Sequence, residues 1–413
     1  MMKPTKIIAL LITLSVVSAA AQEMSLDSIL AQIARRHPML AEYRHRAAAM
    51  QAYADGATAW MAPMAGIGTF MTPYPGQRPE DMDKGAVMMS VEQSIPNPAK
   101  VKASRQALTS KADVEAARGL QQWNLLRSQA RAAVYTWTIA GQQIEALQEQ
   151  EKLLTLALDI ARIRYEQRQG KLSDIYRTEG EIAELRNRIA AQMALKLEEE
   201  SRLRALMNLP KEKRFSVRSE EPEFKPIQFT EDTARLSGNR SDIQELDARI
   251  RQMQLAKTWQ QLQSKPDLRI RFDHMQPLGK TTPVQFTAMA MVSIPIAPWS
   301  SKMYRAEVAG MERDISAMQS GREALLLEAR SELSRMAIRL ESMRSQLERF
   351  QNEIIPALEK NLNTLRAGYQ ENREPLPMVL DALSELSEAR QEYLTMKASY
   401  YLMITDYERL AEI

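Results

Sequence analysis

Cysteine is absent from the 413-residue chain. Disulfides, thiolate metal sites and cysteine nucleophiles are therefore excluded, and a chain of this size must be held by apolar burial or association. Histidine is nearly absent. His37, His45 and His274 are the only three, too few for a multi-histidine metal centre within one chain. Glycine is scarce, at 14 residues, and aromatics make up 6% against 26% charged residues. That balance suits long helices rather than an α/β enzyme core. A large excess of one charge is missing too. The formal net charge is +3, and basic and acidic residues interleave, as in EALQEQEKLL and EGEIAELRNR. Such stretches read as solvated helix faces with supporting i,i+4 pairs and give no footprint for nucleic acid. No convergent catalytic set emerges, so neither an enzyme nor a cofactor is expected.

Long apolar runs are also lacking. Residues 7–17 are apolar but fall short of the ~20 residues that span a bilayer as a helix. With Lys3 and Lys6 before them and Ala19, Ala20 and Ala21 after them, residues 1–21 read as a secretory signal cut near Gln22. No cysteine follows to be lipidated. The mature chain is expected to be exported.

Proline has a telling gap: none lies between Pro98 and Pro210. The helical pattern there breaks near Gly170, predicting two arms of about 55–70 residues, or roughly 80–105 Å at 1.5 Å per residue. Arms of that length imply coiled-coil-like packing, and Leu125, Val134, Ile139, Ile144, Leu147, Leu154 and Ile160 recur at mixed three and four spacing. Ahead of this, Ser25 and Asp27 open a first helix with an apolar face at Leu26, Ile29, Leu30 and Ile33. A second helix runs from Pro38 to about Trp60.

Between about residues 61 and 96 prolines and glycines gather. Residues 85–96, GAVMMSVEQSIP, read as a strand, and residues 63–70 as a weaker one, joined by the turn-rich TPYPGQRPEDMDKG. After a polar linker, 210–238, the chain repeats itself. NRSDIQELDARIRQMQLAKTWQQLQSKPDL answers RHPMLAEYRHRAAAMQAYADGATAWMAPMA, and PWSSKMYRAEV answers PNPAKVKASRQ. The two repeats cover 22–209 and 239–413. The first holds a strand hairpin at about 61–96 and a helical hairpin at about 98–209; the second holds them at about 266–296 and 298–413.

In the second strand pair, Leu268, Ile270 and Phe272 alternate with Arg269, Arg271 and Asp273. Phe286, Ala288, Ala290 and Val292 alternate with Gln285, Thr287, Met289 and Met291. Four strands cannot close a barrel. Three copies would give a twelve-stranded membrane barrel without edges; the other reading is a small soluble sandwich with one buried face.

In this order and spacing the chain resembles the outer-membrane efflux protein family, the TolC-like channels, from about residue 25 to the end. The resemblance rests on His37-Pro38 at the first repeat, Ser94-Ile95-Pro96-Asn97-Pro98 leaving the second strand, and the hairpin tips at 165–174 and 369–381, with Val379-Leu380-Asp381-Ala382. It implies a mostly α protomer with a small β part: four membrane strands and long coiled-coil hairpins. A homotrimer would close a twelve-stranded barrel and an α-helical periplasmic tunnel, with the linker in an equatorial region. It further implies a passive exit duct in the outer membrane, among its lipids, for metal ions or small toxic compounds. An inner-membrane pump and a periplasmic adaptor would serve it. A duct for type I protein secretion and a soluble periplasmic coiled-coil scaffold are the competing functions.

The family pattern assigns roles at the tips. Asp381 matches a carboxylate ring at the tunnel constriction, or is an ordinary helix-start Asp on the dipole. Met378, on the same helical face, stands where some relatives carry a second Asp, which makes this mouth less acidic. Asp174 and Tyr369 match a phenol–carboxylate latch between hairpins, or are plain surface residues. Arg168, Gln169, Gly170, Asn372, Arg373 and Glu374 are tip positions for adaptor contact, or solvated loops. Arg168 and Asn372 stand where the family often has Gly. Because Arg tolerates the left-handed conformation poorly, Gly170 is expected to adopt it instead.

Methionine is abundant, at 25 residues, and nine fall in the strand regions: Met61, Met64, Met71, Met82, Met88, Met89, Met275, Met289 and Met291. Thioether is adaptable packing material and also a soft ligand suited to Cu(I). With the PNPAK stretch, this mix resembles the copper/silver efflux branch of the family. Met289 and Met291 are the candidate soft-metal contacts; no resident metal site is assigned.

Overall fold

A computed structural model of the chain describes residues 22–211, 213–219, 221, 237–371 and 373–412. The expected signal segment, most of the linker and Asn372 lie outside the described residues. The described parts of 22–37, 129–225 and 343–402 form one compact unit, and those of 38–128, 226–342 and 403–412 a second. Each unit draws on both sequence repeats.

The first unit opens with strand β1, Gln22–Met24, and helix α1, Leu26–Arg36. Ser25 caps α1 by accepting from the Ser28 amide, and Ile29 and Ile33 are fully buried, as the periodicity requires. β1 pairs in parallel with β4, Phe215–Val217, so the linker is partly strand. Phe215 and Val217 bury their side chains there.

Helix α2 is Pro38–Gly56, and α3 runs unbroken over Pro98–Glu166, 69 residues. Its return arm α4, Leu172–Leu206, has only 35. The expectation of two similar arms is therefore corrected. The break falls near residue 170, well past the middle of the proline-free interval, so one arm is about twice the other. The second repeat does the same after helix α5, Ser241–Gln261. Helix α6, Pro298–Arg349, passes through a π-helical turn, Phe350–Ile354, into α7, Ile355–Gln370, and α8 returns over Leu376–Ala411. The wide turn sits directly before Pro356, whose ring would clash with the carbonyl four residues back in a regular helix.

Leucine and isoleucine from α3, α4, α7 and α8 interlock in the first unit. Leu147, Leu154, Ile182, Leu185, Leu380 and Leu383 are buried in one continuous core. Leu125, read as part of the apolar series, is instead exposed.

In the second unit four strands form one antiparallel sheet, β2, Met64–Phe70; β3, Ala86–Ile95; β5, Leu268–Pro277; and β6, Gln285–Val292, in that spatial order. The two hairpins join through β3 and β5, where Val91 faces Phe272 and Glu92 faces Arg271. Register puts Ile67, Val91, Phe272 and Ala288 on one face and Gly66, Ser90, Asp273 and Thr287 on the other. The first face is apolar yet exposed at Ile67, Val91, Ile270, Phe272 and Phe286. Beyond the strand ends the loops are tied. Asp81 accepts from the Lys280 and Thr281 amides and the Thr281 hydroxyl, and pairs with Lys84. Those bonds hold its carboxyl far below the usual carboxylate range. Gly279 lies so close that a Cβ would collide with the Asp81 carbonyl oxygen.

Among the described residues, no helix is long and apolar enough to cross a membrane.

Candidate functional site

Both hairpins of the first unit turn at one end of the α3/α4/α7/α8 core. At the first turn, the Arg168 amide donates to the Tyr165 carbonyl at 2.9 Å, and the Gln169 amide to the Arg164 carbonyl at 2.8 Å. These two bonds define a Schellman cap, which needs a left-handed residue at its centre. That residue is Arg168, with φ 62°. The expectation that Gly170 would take the left-handed conformation is thus corrected: hydrogen bonding fixes the strained position at the residue after Gln167. Gly170 is needed for closeness instead, because a Cβ there would stand 3.2 Å from Arg164 Cβ and the Tyr165 nitrogen.

The second turn closes over the same span. The Arg373 amide donates to the Gly368 carbonyl at 2.8 Å, and the Glu374 amide to the same oxygen at 3.2 Å. Arg373 and Glu371 form an exposed ion pair at 2.8 Å. Arg168, Gln169 and Arg373 are exposed, while Gly170 and Glu374 are half-buried. Asn372, the remaining tip position, lies outside the described residues.

Between the turns is a cleft of about 190 Å³ lined by Arg164, Gln169, Gly170, Lys171, Asp174 and Tyr369. The expected latch pair therefore faces one space. Tyr369 is buried, and Asp174 half-buried. The contact that joins the hairpins here is made by Arg164. Its guanidinium lies over the Tyr369 ring, 3.8 Å from the centroid, and donates to the Tyr369 carbonyl at 2.6 Å. Burial raises the Tyr369 phenol above its ordinary value; Arg164 opposes that shift and Asp174 adds to it. The phenol stays neutral and able to donate.

Asp381 lies in the second turn of α8, beyond the first turn where the helix dipole acts strongly. Its partner comes from the other hairpin. Arg177 of α4 donates through Nη2 to Asp381 Oδ1 at 2.5 Å and through Nε to Glu181 at 3.1 Å. Hydrogen bonding to Asp381, then to Glu181, raises the Arg177 pKa further. The Asp381 side chain keeps 65% exposure. Met378, one turn earlier, is exposed on the same side. In this protomer the Asp381 carboxylate is salt-bridged across to the other hairpin. Sequence reasoning missed Arg177 and Arg164, because nothing in a single chain couples either residue to positions some 200 residues away.

A second polar cluster holds the segment after β4 to α8. Glu221 accepts from Lys397 at 2.8 Å and from the Tyr401 hydroxyl at 2.8 Å, and bonds Gln142 of α3. Burial works against the carboxylate, but the bonds from Lys397, Gln142 and Tyr401 outweigh it and lower its pKa. Burial, then the bond to Glu221, pushes the Tyr401 phenol far up.

No protein-family model matches the sequence, and no curated protein does either. Solved structures do. The outer-membrane channel OprN matches with a TM-score of 0.76 at 14% identity, over 94% of this chain and 89% of that one. CusC, described through its folding and transmembrane channel formation, matches with a TM-score of 0.74 at 14% identity, over 93% and 91%. The MtrE outer-membrane channel of Neisseria gonorrhoeae matches with 0.70 at 13%, over 94% and 88%. The fold is therefore TolC-like, that of outer-membrane channels, along nearly the whole chain.

Proposed function

We propose that the chain is the protomer of a passive, trimeric outer-membrane exit duct of a tripartite efflux system. The observation that carries this reading is the four-stranded sheet with one exposed apolar face, one polar face and an unpaired strand at each edge among the described residues. A lone sheet with such a face and such edges is unfinished. Three copies joined edge to edge would present the apolar face to lipid and the polar face to a channel.

The helical hairpins then form a periplasmic tunnel, and the two tips per chain form its inner mouth. Asp381 and Met378 are the constriction, with Arg177 moderating the Asp381 charge. Asp174 and Tyr369 latch the hairpins, supported by Arg164. Arg168, Gln169, Gly170, Asn372, Arg373 and Glu374 meet a periplasmic adaptor, which links the duct to an inner-membrane pump. Such a duct does no covalent chemistry. The methionines of the strands favour soft metal ions, Cu(I) or Ag(I), as cargo.

Fractionation with gel analysis tests the duct. The protein is expected in outer membranes as a trimer that resists detergent until heated. Release as a soluble monomer on gentle lysis overturns the reading. Deletion is expected to raise copper and silver sensitivity, and unchanged metal tolerance removes the metal cargo.

A further inference from the structure

Five of the six methionines in the four strands lie on the polar face of the sheet. Met88 of β3 stands directly opposite Met275 of β5. On the same face, by register, lie Met64, Met289 and Met291, among Ser90, Glu92, Arg269, Arg271 and Asp273. The exposed apolar face carries only Met89 among the strand methionines. Met289 and Met291, opposite Arg271 and Arg269, gain little there by the hydrophobic effect, while Met88 and Met275 sit half-buried between the Ala86–Pro277 and Ser90–Asp273 pairs and bring two sulfurs into one row.

We propose that Met88 and Met275 form a two-thioether site for a soft monovalent cation, Cu(I) or Ag(I), with Met289 and Met291 a second station on the same face. The proposal rests on the duct reading only for its purpose, as a foothold for the ion in transit. Directly opposed residues on adjacent strands have Cβ atoms about 4.5–5.5 Å apart, and the unbranched methionine side chain lets two sulfurs converge on one ion. The next residue in that row is Gly68 of β2, where a Cβ would meet nothing within 4 Å, so the thioethers have open space beside them. The row ends at Gln285 of β6.

The surrounding charges do not compete. Arg271 pairs with Asp273 at 2.9 Å and Arg269 with Glu92 at 3.0 Å. Among the described residues, no group of three or more His, Cys, Asp and Glu is placed to hold a metal ion. Neutral thioethers bind without releasing a proton, so the ion enters and leaves with no change of protonation and no electron transfer.

The test is a titration of the detergent-solubilised, [methyl-13C]methionine-labelled full chain with Ag(I) alone, read by methyl NMR and by equilibrium dialysis. The Met88 and Met275 methyl signals are expected to shift together and saturably, with Met89 unmoved. The Met88→Leu/Met275→Leu pair is expected to weaken the tightest binding by at least about tenfold, and Met89→Leu to leave it unchanged. Unmoved Met88 and Met275 signals in the unaltered chain overturn the proposal, as does an equal shift at Met89. The wild-type spectra decide the matter even where the double variant fails to fold. A heat-resistant trimer whose methyl signals ignore Ag(I) sinks the site and leaves the duct. A soluble monomer whose Met88 and Met275 signals do shift sinks the duct and leaves the site.

Discussion

Arg168 shows how a turn can overrule the preference of the residue that occupies it. The cap bonds at 165 and 164 demand a left-handed residue, and an L side chain there is strained. Arg168→Gly is expected to stabilise the first hairpin by about 0.5–1 kcal/mol, and Arg168→Val to destabilise it by at least as much; thermal unfolding of the purified protein measures both. Asp381 shows the opposite, a residue whose setting depends on a partner far away in sequence. The Arg177–Asp381 pair is exposed, so breaking it should cost stability less than about 1 kcal/mol. Its effect on ions is larger. Arg177→Gln unmasks three symmetric carboxylates in a trimer and is expected to shift selectivity toward cations, whereas Asp381→Asn shifts it toward anions. Reversal potentials in a planar bilayer under a salt gradient report the sign, and a shift in the same direction for both variants would refute the assignment of this mouth.

Helices and strands were legible in the sequence to different depths. The alternation of Leu268, Ile270 and Phe272 with Arg269, Arg271 and Asp273 revealed both faces of β5, because strand periodicity is a local property. The long helices followed from the proline gap. Their unequal lengths follow from Gly170, which lies well past the middle of that gap. The β1–β4 pair was hidden, because three-residue strands carry too little pattern and their partner lies nearly 200 residues away. The Glu221 cluster was hidden for the same reason: Lys397 and Tyr401 are one turn apart on α8, but nothing local points to Glu221. With Lys397 only 9% exposed, Glu221→Gln leaves a buried ammonium poorly paired and is expected to cost about 1–3 kcal/mol. The folded carboxyl has a lowered pKa, so its stabilisation is fully present above the ordinary carboxylate value and is lost as pH falls through the lowered one. The stability gap between wild type and Glu221→Gln should therefore be widest near neutrality and close on acidification; a gap independent of pH would assign the effect to packing alone.

For the whole molecule, the two sheet faces make separable demands. Ile67 is exposed on the apolar face, and Thr287 lies on the polar one. In a lipid-facing barrel, Ile67→Lys is expected to cost about 2–4 kcal/mol near the bilayer midplane and to deplete heat-resistant trimer from outer membranes. Thr287→Lys should leave the trimer intact. Equal tolerance of both substitutions would show that neither face meets lipid.

The strand order β2-β3-β5-β6 has one more consequence. The edge strands β2 and β6 differ, so copies joining β6 to β2 meet head to tail rather than by a two-fold axis. Such a contact closes into a ring only if the turn from copy to copy divides the circle; otherwise it grows as an open filament. The bend of a single sheet therefore decides between a pore and a fibre. Gly66 and Gly68 lie on the β2 edge strand, and a Cβ at Gly66 would stand 2.9 Å from the Ser90 hydroxyl oxygen of β3, so a side chain there would press on the neighbouring strand and bear on that bend.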